Sequence, residues 1–315
     1  METRHLEFFV AVAEELSFTR AAVRQFAVQS TVSAAIRSLE QDLGTPLFER
    51  STKRVALTPA GEALLPAARA AIEAIDTARS SVVETAAGIR GRLRVGIFAS
   101  LELFDLPAIF GDFHTRYPLV DLQLTASQSG SSGFADDVRR GRLDVAFMGL
   151  PLRDLHDLQT LPLATTEIVA VLPSSHALSS EASVRLSQLA GEPFVDTPPG
   201  FGNRVVLERA LAEEGLSRTV STVVSDLGEV PRFVASGLGI ALVPGALVVP
   251  ASGTVVIPLE QRIEWMISVV NRENPSPATS ALLGLLRERA NGASHPPLRA
   301  RGADHLDLRR GYSPP

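Results

Sequence analysis

The apolar residues of this 315-residue chain change their spacing once, near Gly91, and that change bounds what the chain can fold into. Before Gly91 they recur every three or four residues, the period of amphipathic helices. After it, short apolar runs alternate with helical stretches, the rhythm of parallel βαβ units joined by right-handed crossovers. The expected fold class is therefore α/β with a mainly-α N-terminal part, and the length calls for more than one core.

In the first part, Leu6, Phe9, Val10, Val12, Ala13 and Leu16 share one helical face. Ser17 or Thr19 caps a second helix that runs to about Phe26, and a third runs from about Gln29 to Leu43 with Val32, Ile36, Leu39 and Leu43 as its stripe. Gly44 stands just past the last apolar position and Pro46 prevents resumption. Leu47-Phe48 and Val55 to Leu57 then flank Arg50-Ser-Thr-Lys-Arg54, which reads as a two-stranded wing with a basic tip. Thr58-Pro59 opens a helix that reaches about Ala87, with Leu64, Leu65, Ala68, Ile72, Ile75, Val82 and Val83 on one side. The expected divisions are a winged helix-turn-helix over 1–58, a long linker helix over 59–88, and an α/β module over 91–290. Residues 291–315, rich in Pro, Gly, Arg and Ser, form a tail without apolar period, expected to be disordered.

In the second part, strands are expected at Leu93 to Phe98, Val120 to Ala126 and Leu143 to Met148, then at Glu167 to Pro173, Pro193 to Asp196, Thr219 to Val224, Ile240 to Val243 and Trp265 to Asn271. Helices are expected over Leu101 to Tyr117, Phe134 to Arg140, Val184 to Leu189, Arg204 to Glu214, Leu227 to Ser236, and from Pro277 to about Arg289.

A net charge of −5 argues by itself against a nucleic-acid partner, and residues 1–60 hold seven basic and seven acidic side chains. Placement decides the matter: Glu2, Glu7, Glu14 and Glu15 belong to one early helix, whereas Arg50, Lys53 and Arg54 cluster in the wing. The short turn from Phe26 to Val28 joins two amphipathic helices, so Gln29, Ser30, Thr31 and Ser33 project from the first turn of the third helix, where Gln pairs with adenine and hydroxyls bond bases or phosphates. Arg37 is placed for a phosphate, Thr19 and Arg20 open the second helix as further contacts, and Ala34 and Ala35 offer apolar contact to thymine methyls. The competing reading is a three-helix interaction module whose Ser and Thr are ordinary caps, and spacing alone leaves both open.

The stretches Phe8-Phe-Val-Ala-Val-Ala-Glu-Glu-Leu-Ser-Phe-Thr-Arg-Ala-Ala22, Ile36-Arg-Ser-Leu-Glu-Gln-Asp-Leu-Gly-Thr-Pro-Leu-Phe-Glu-Arg50 and Leu57-Thr-Pro-Ala-Gly61 resemble the LysR-type transcriptional regulators in order and spacing. The resemblance implies a homodimer or homotetramer with antiparallel linker helices, double-stranded operator DNA as partner, RNA polymerase as a further contact, and a small-molecule effector. Within the third helix the chain departs from the family pattern at Val28, Ser30, Ala34 and Ala35, which leaves more of the readout to DNA shape. The helix from Pro59 is ~45 Å long at 1.5 Å per residue, more than one small domain covers.

The back part is expected to be a two-lobed module of periplasmic-binding-protein type, with lobe I over about 91–163 and 265–290 and lobe II over about 164–264. The resemblance implies the same. Ligands of such sheets sit beyond strand C-termini, at helix N-termini. That selects Ser100, Leu101, Ser127, Gln128, Ser129 and Met148 in lobe I, and Thr197, Phe201, Asn203 and Arg204 in lobe II. For each residue alone, a cap, core or solvated role competes with ligand contact.

Enzyme chemistry finds no foothold. Gly130-Ser-Ser-Gly133 is one residue short of a nucleophile elbow, no phosphate-binding glycine loop occurs, and the six histidines lack metal spacing. Asp154, His156 and Asp157 share a loop that reads as a solvated turn. No cofactor or metal is expected, and the absence of cysteine excludes thiolate ligands, disulfides and cysteine nucleophiles. A reducing cytoplasm fits best. A transport-type solute-binding protein has no use for residues 1–87.

Overall fold

A computed structural model describes residues 2–50, 55–98, 105–126 and 129–290; of Arg50, Glu73, Asp76, Thr77 and residues 79–87 it describes the backbone only. The chain divides into two compact units near Gly91.

In the first unit, α1 (Thr3–Glu15), α2 (Phe18–Arg24) and α3 (Gln29–Leu43) are followed by the antiparallel pair β1 (Phe48–Arg50) and β2 (Val55–Leu57), then by α4 (Pro59–Ala87). The helical stripes meet in one core of Leu6, Phe9, Val12, Val32, Ile36, Leu39, Leu47 and Phe48. Ser17, not Thr19, caps α2 by accepting the Arg20 N–H at 3.3 Å. α3 ends at Gly44 (φ 68°), where the Thr45 N–H returns to the Glu40 carbonyl and closes a Schellman turn. The Glu40 carboxylate accepts the Leu47 and Phe48 N–H groups at 2.9 and 3.3 Å, which fastens the wing to α3. Thr58 accepts from Gly61 N–H and donates to the Pro46 carbonyl at 2.8 Å.

The second unit begins with β3 (Gly91–Ile97), α5 (Leu106–Arg116), β4 (Val120–Ala126), α6 (Gly130–Arg139) and β5 (Val145–Met148). It continues with β6 (Gln159–Pro173), α7 (Leu186–Leu189), β7 (Pro193–Asp196), α8 (Gly202–Glu213), β8 (Thr219–Val223) and α9 (Val230–Ala235). β9 (Ala241–Pro244), β10 (Thr254–Pro258), β11 (Glu264–Asn271) and α10 (Pro277–Ala290) complete it. The main sheet has the order β10-β6-β11-β5-β3-β4, with β9 also on β6, and β7 pairs β8 separately. β3 is parallel to β5 and β7 to β8, as alternation predicts, but β6, β9, β10 and β11 pair antiparallel. β6 starts eight residues before the expected Glu167, and β10 has no counterpart among the expected strands. Both segments are largely exposed or half-buried, and their pairing comes from the strand beside them rather than from their own pattern. Asp144, buried at the end of the Gly141-Arg-Leu-Asp144 turn, accepts the backbone N–H of Arg94 at 2.7 Å and two bonds from its guanidinium, which ties β3 to β5.

Two features of the first unit carry measurable weight. A Cβ on Gly61 would lie 2.2 Å from the Leu47 carbonyl oxygen, so Gly61→Ala must push the wing from α4. It should destabilise this unit by about 2 kcal/mol in a denaturant titration. Glu14 pairs with Arg24 at 2.6 Å and with Arg69 at 2.7 Å. Burial raises its pKa, but the Arg69 hydrogen bond and the charges of Arg24 and Arg69 outweigh burial and hold it below the ordinary 4.5. The stability this adds is present above pH 4.5 and lost as pH falls through the lower folded value. Glu14→Gln should therefore lower stability at neutral pH and flatten its decline on acidification, read from melting points across the acid range.

Candidate functional site

The first turn of α3 presents Gln29, Ser30 and Thr31 to solvent while Val32 turns into the core. Its N-cap position is Val28, whose side chain caps nothing, and the Thr31 N–H turns instead to the Val28 carbonyl at 3.0 Å. Ser33 is half-buried: its hydroxyl accepts from Gln29 Nε2 at 3.4 Å, and its carbonyl accepts from Arg37 Nε at 3.2 Å. Gln29 and Arg37 are exposed. Of the expected alanine pair only Ala34 faces outward. Ala35 is 8% exposed and packs in the core, because the inward stripe Val32, Ala35, Ile36, Leu39 includes it.

Thr19 is exposed at the start of α2. Arg20 donates to the Glu15 backbone carbonyl and, at 3.3 Å, to its carboxylate, so it closes the α1–α2 turn. Arg50 lies on β1 with its backbone paired to Val55, while Lys53 and Arg54 fall outside the described residues.

An apolar surface beside this turn has no counterpart among the sequence expectations. Phe26 is 99% exposed with φ 50°, and Val23 and Val28 are exposed next to it. The αL geometry follows from the tight turn between α2 and α3, where the Ala27 N–H reaches the Ala22 carbonyl at 2.9 Å.

In the second unit the two lobes meet at the N-termini of α6 and α8. A Cβ on Gly130 would stand 2.5 Å from the Phe201 ring, and a Cβ on Gly202 would stand 2.3 Å from the Gly149 carbonyl oxygen. The Ser132 N–H, in the first turn of α6, donates to the Gly200 carbonyl at 3.0 Å. Ser129 is exposed at the mouth, and Phe201 is buried against Gly130. Met148 is fully buried in the core. Ser100, Leu101, Ser127 and Gln128 lie outside the described residues.

The remaining lobe II candidates form a network under the crevice wall. Asn203 Nδ2 donates to Asp196 at 3.2 Å, the Thr197 hydroxyl donates to Asn203 Oδ1 at 3.1 Å, and Arg204 donates to the Thr197 carbonyl at 2.8 Å and to Glu208 at 2.7 Å. Asp196 itself is buried, which pushes its pKa up; the adjoining Arg218 guanidinium, the Thr197 N–H and the charge of Arg204 pull it back, and the shift stays upward. Arg218 also lies 5.2 Å above the Phe194 ring. Asn203 is therefore a brace for Asp196 rather than an N-cap; that position belongs to Phe201, which caps nothing. In the loop of Asp154, His156 and Asp157, Asp154 is bound by Arg209 at 2.8 Å.

Residues 3–62 match the family described as bacterial regulatory helix-turn-helix protein, lysR family, and residues 86–291 match the LysR substrate binding domain. The chain is 37% identical over 276 residues to the HTH-type transcriptional regulator ShiR of Corynebacterium glutamicum (strain R), covering 84% of this chain and 93% of that one. It is 34% identical over 247 residues to the Hca operon transcriptional activator HcaR of Escherichia coli (strain K12), covering 78% and 82%. Among solved structures, a full-length OxyR variant from Pseudomonas aeruginosa superposes with a TM-score of 0.69 at 26% identity, over 91% of this chain and 95% of that one. Full-length BenM does so with a TM-score of 0.53 at 27% identity, over 94% and 100%.

The exposed αL phenylalanine gives a direct test of this surface. Phe26→Asn places a residue that tolerates αL where nothing packs on the ring, so the melting point should hold or rise, by the equivalent of up to about 1 kcal/mol. A clear fall would mean that the ring has a packing role.

Proposed function

The chain belongs to the LysR family of DNA-binding transcriptional regulators, and from that premise we propose how this member reads its operator. It is a regulator and not an enzyme: its helix-turn-helix binds DNA and its α/β module binds a small-molecule effector. The reading of DNA rests on the first turn of α3, where Gln29, Ser30 and Thr31 are exposed at a helix start that no side chain caps while Val32 and Ile36 anchor the helix from behind. Gln29 is assigned to a base edge, Ser30, Thr31 and Ser33 to bases or phosphates, and Arg37, Thr19, Arg50, Lys53 and Arg54 to the backbone or minor groove. Arg20 serves chiefly to hold the α1–α2 turn through Glu15.

Regulators of this family form oligomers; we assign pairing of this chain to α4, whose 29 residues carry an apolar side longer than one small domain covers. Two recognition helices related by a two-fold axis then read two half-sites. The linker at 59–88, the sensor at 91–290 and a contact with RNA polymerase belong to the same proposal, as does a cytoplasmic setting; no helix among the described residues is long and apolar enough to cross a membrane. The effector is not read by a thiol, since the chain has no cysteine. It is assigned to the crevice between the α6 and α8 N-termini. A ligand that binds one lobe arrangement more tightly shifts the placement of the paired reading heads by its differential affinity.

The test is a footprint on the intergenic DNA upstream of the gene's own locus, with salt varied. Protection spanning more than one helical turn and weakening with salt is expected. Gln29→Ala should cost about 1–3 kcal/mol of specific binding and leave non-specific binding nearly unchanged. Equal losses on both would remove Gln29 from base reading.

A further inference from the structure

α8 carries two stripes that belong to different lobes. Asn203, Leu207 and Leu211, four residues apart, face lobe II: Asn203 donates to Asp196 at 3.2 Å and both leucines are buried. Gly202, Val205 and Arg209 lie on the opposite side of the helix, three and four residues apart, and all three meet lobe I. The backbone of Gly202 runs so close to Gly149 that a Cβ would stand 2.3 Å from the Gly149 carbonyl oxygen. Val205, one turn on, packs against the lobe I cluster that includes Phe134, Leu150, Leu155 and Leu158. Arg209, a further turn on, donates from Nη2 to both carboxylate oxygens of Asp154, at 2.9 and 2.8 Å. Asp154 ends the short turn Leu152–Asp154 that follows β5, so the helix lies along the chain as it leaves that strand.

The two ends of this contact differ. At the Gly202 end, Phe201 is buried against Gly130 and the Ser132 N–H donates to the Gly200 carbonyl, so the docking there is dry and backbone-made. At the other end the Asp154 and Arg209 side chains are 27% and 35% exposed, within reach of water and salt. Arg209 Nη1, moreover, is buried with no acceptor. Docking thus gains a pair that solvent partly screens and strands one donor, two effects of comparable size and opposite sign. We propose that α8 is a clasp between the lobes and that the Asp154–Arg209 pair is its release point. Breaking the pair frees the outer end of α8 from lobe I, and the helix, fixed to lobe II by its other stripe, carries that lobe with it. The clasp holds one lobe arrangement in the protein without ligand and so sets its resting transcriptional output. That last step rests on the α/β module being the sensor of a regulator; the clasp itself does not.

The full-length protein labelled with 5-fluorotryptophan carries one fluorine, on Trp265, whose ring lies against Gly149, the residue that Gly202 meets. Arg209→Asp and Asp154→Arg each place like charges together, so each should move the resonance in the same direction, and the double exchange should return it. NaCl raised from about 0.05 to about 0.5 M should move the wild-type resonance that way too. Arg209→Gln adds no repulsion; it should shift part of the way and stay there as salt rises. It carries the test if either charged variant fails to melt cooperatively. In cells lacking the chromosomal copy, a reporter behind the upstream DNA of the gene's own locus should change output by about threefold in both single variants, the factor a partly screened pair supplies, and recover in the double exchange. A wild-type resonance in the single variants and in Arg209→Gln overturns the clasp. A double exchange that stays with the single variants overturns the pair as its release point. A resonance that moves while reporter output stays at the wild-type level overturns the regulatory step. Failure of the regulator reading has a different signature: deleting the gene leaves the reporter unchanged, which removes the regulatory step and leaves the clasp to the fluorine data.

Discussion

The sensor unit hangs on one strand. The first part of β6, Gln159 to Glu167, is hydrogen-bonded to β11, and its later part, Ile168 to Pro173, carries β9 and β10. Lobe I reaches it through β11 and β5, and lobe II is built around its far half. A continuous ladder transmits displacement well except where it is interrupted, and the interruption sits between the lobes. The register shifts between Ile267 and Ser268, opposite Ala164 and Pro162, and a proline has no N–H to give. The interruption thus falls on the strand pair that both lobes share.

The reading head depends on a different constraint, the placement of charge. In a chain of net charge −5, three acids of the DNA-binding unit are occupied internally. Glu14 is taken by Arg24 and Arg69, Glu15 by Arg20 and Arg24, and Glu40 by two backbone N–H groups of the wing. The exposed pairs among these add little stability. Their larger effect is positional: Glu40 sets the wing against α3, and Arg20 and Arg24 set α2 against α1. The position of β1 against α3 is thereby held by local contacts.

The helical part is legible in the sequence because its periodicity reports burial directly. Val32, Ile36 and Leu39 declare an inward stripe, and Gly44, Pro46 and Thr58-Pro59 mark its ends by backbone chemistry alone. The same periodicity places Ala35 inside the stripe and Ala34 outside, a distinction that treating the two alanines as a pair obscures. The β-rich part is legible in element type but not in pairing. Thr254 to Pro258 is a strand because β6 offers a free edge, and Gln159 to Thr166 because β11 runs beside it; neither carries a period of its own. The exposure of Phe26 is not legible, since hydrophobicity argues the opposite and only the αL turn forces the ring out.

The crevice shows why polar residue type at a strand end is a weak guide to ligand contact. Asn203, Thr197 and Arg204 sit where ligands of such sheets sit, yet each has its polar atoms bonded to Asp196, to one another or to Glu208. Ligand binding would have to break those bonds before using them, and a buried network gives up its members only at the expense of the whole. In the sequence Trp265 reads only as the start of a strand, although its buried indole N–H is left open, as are Nε and Nη1 of Arg218. A residue's availability is the difference between what its chemistry can bond and what its neighbours already take. The first quantity is written in the sequence; the second exists only after β11 has been laid beside β6 and Gly149 has met Gly202.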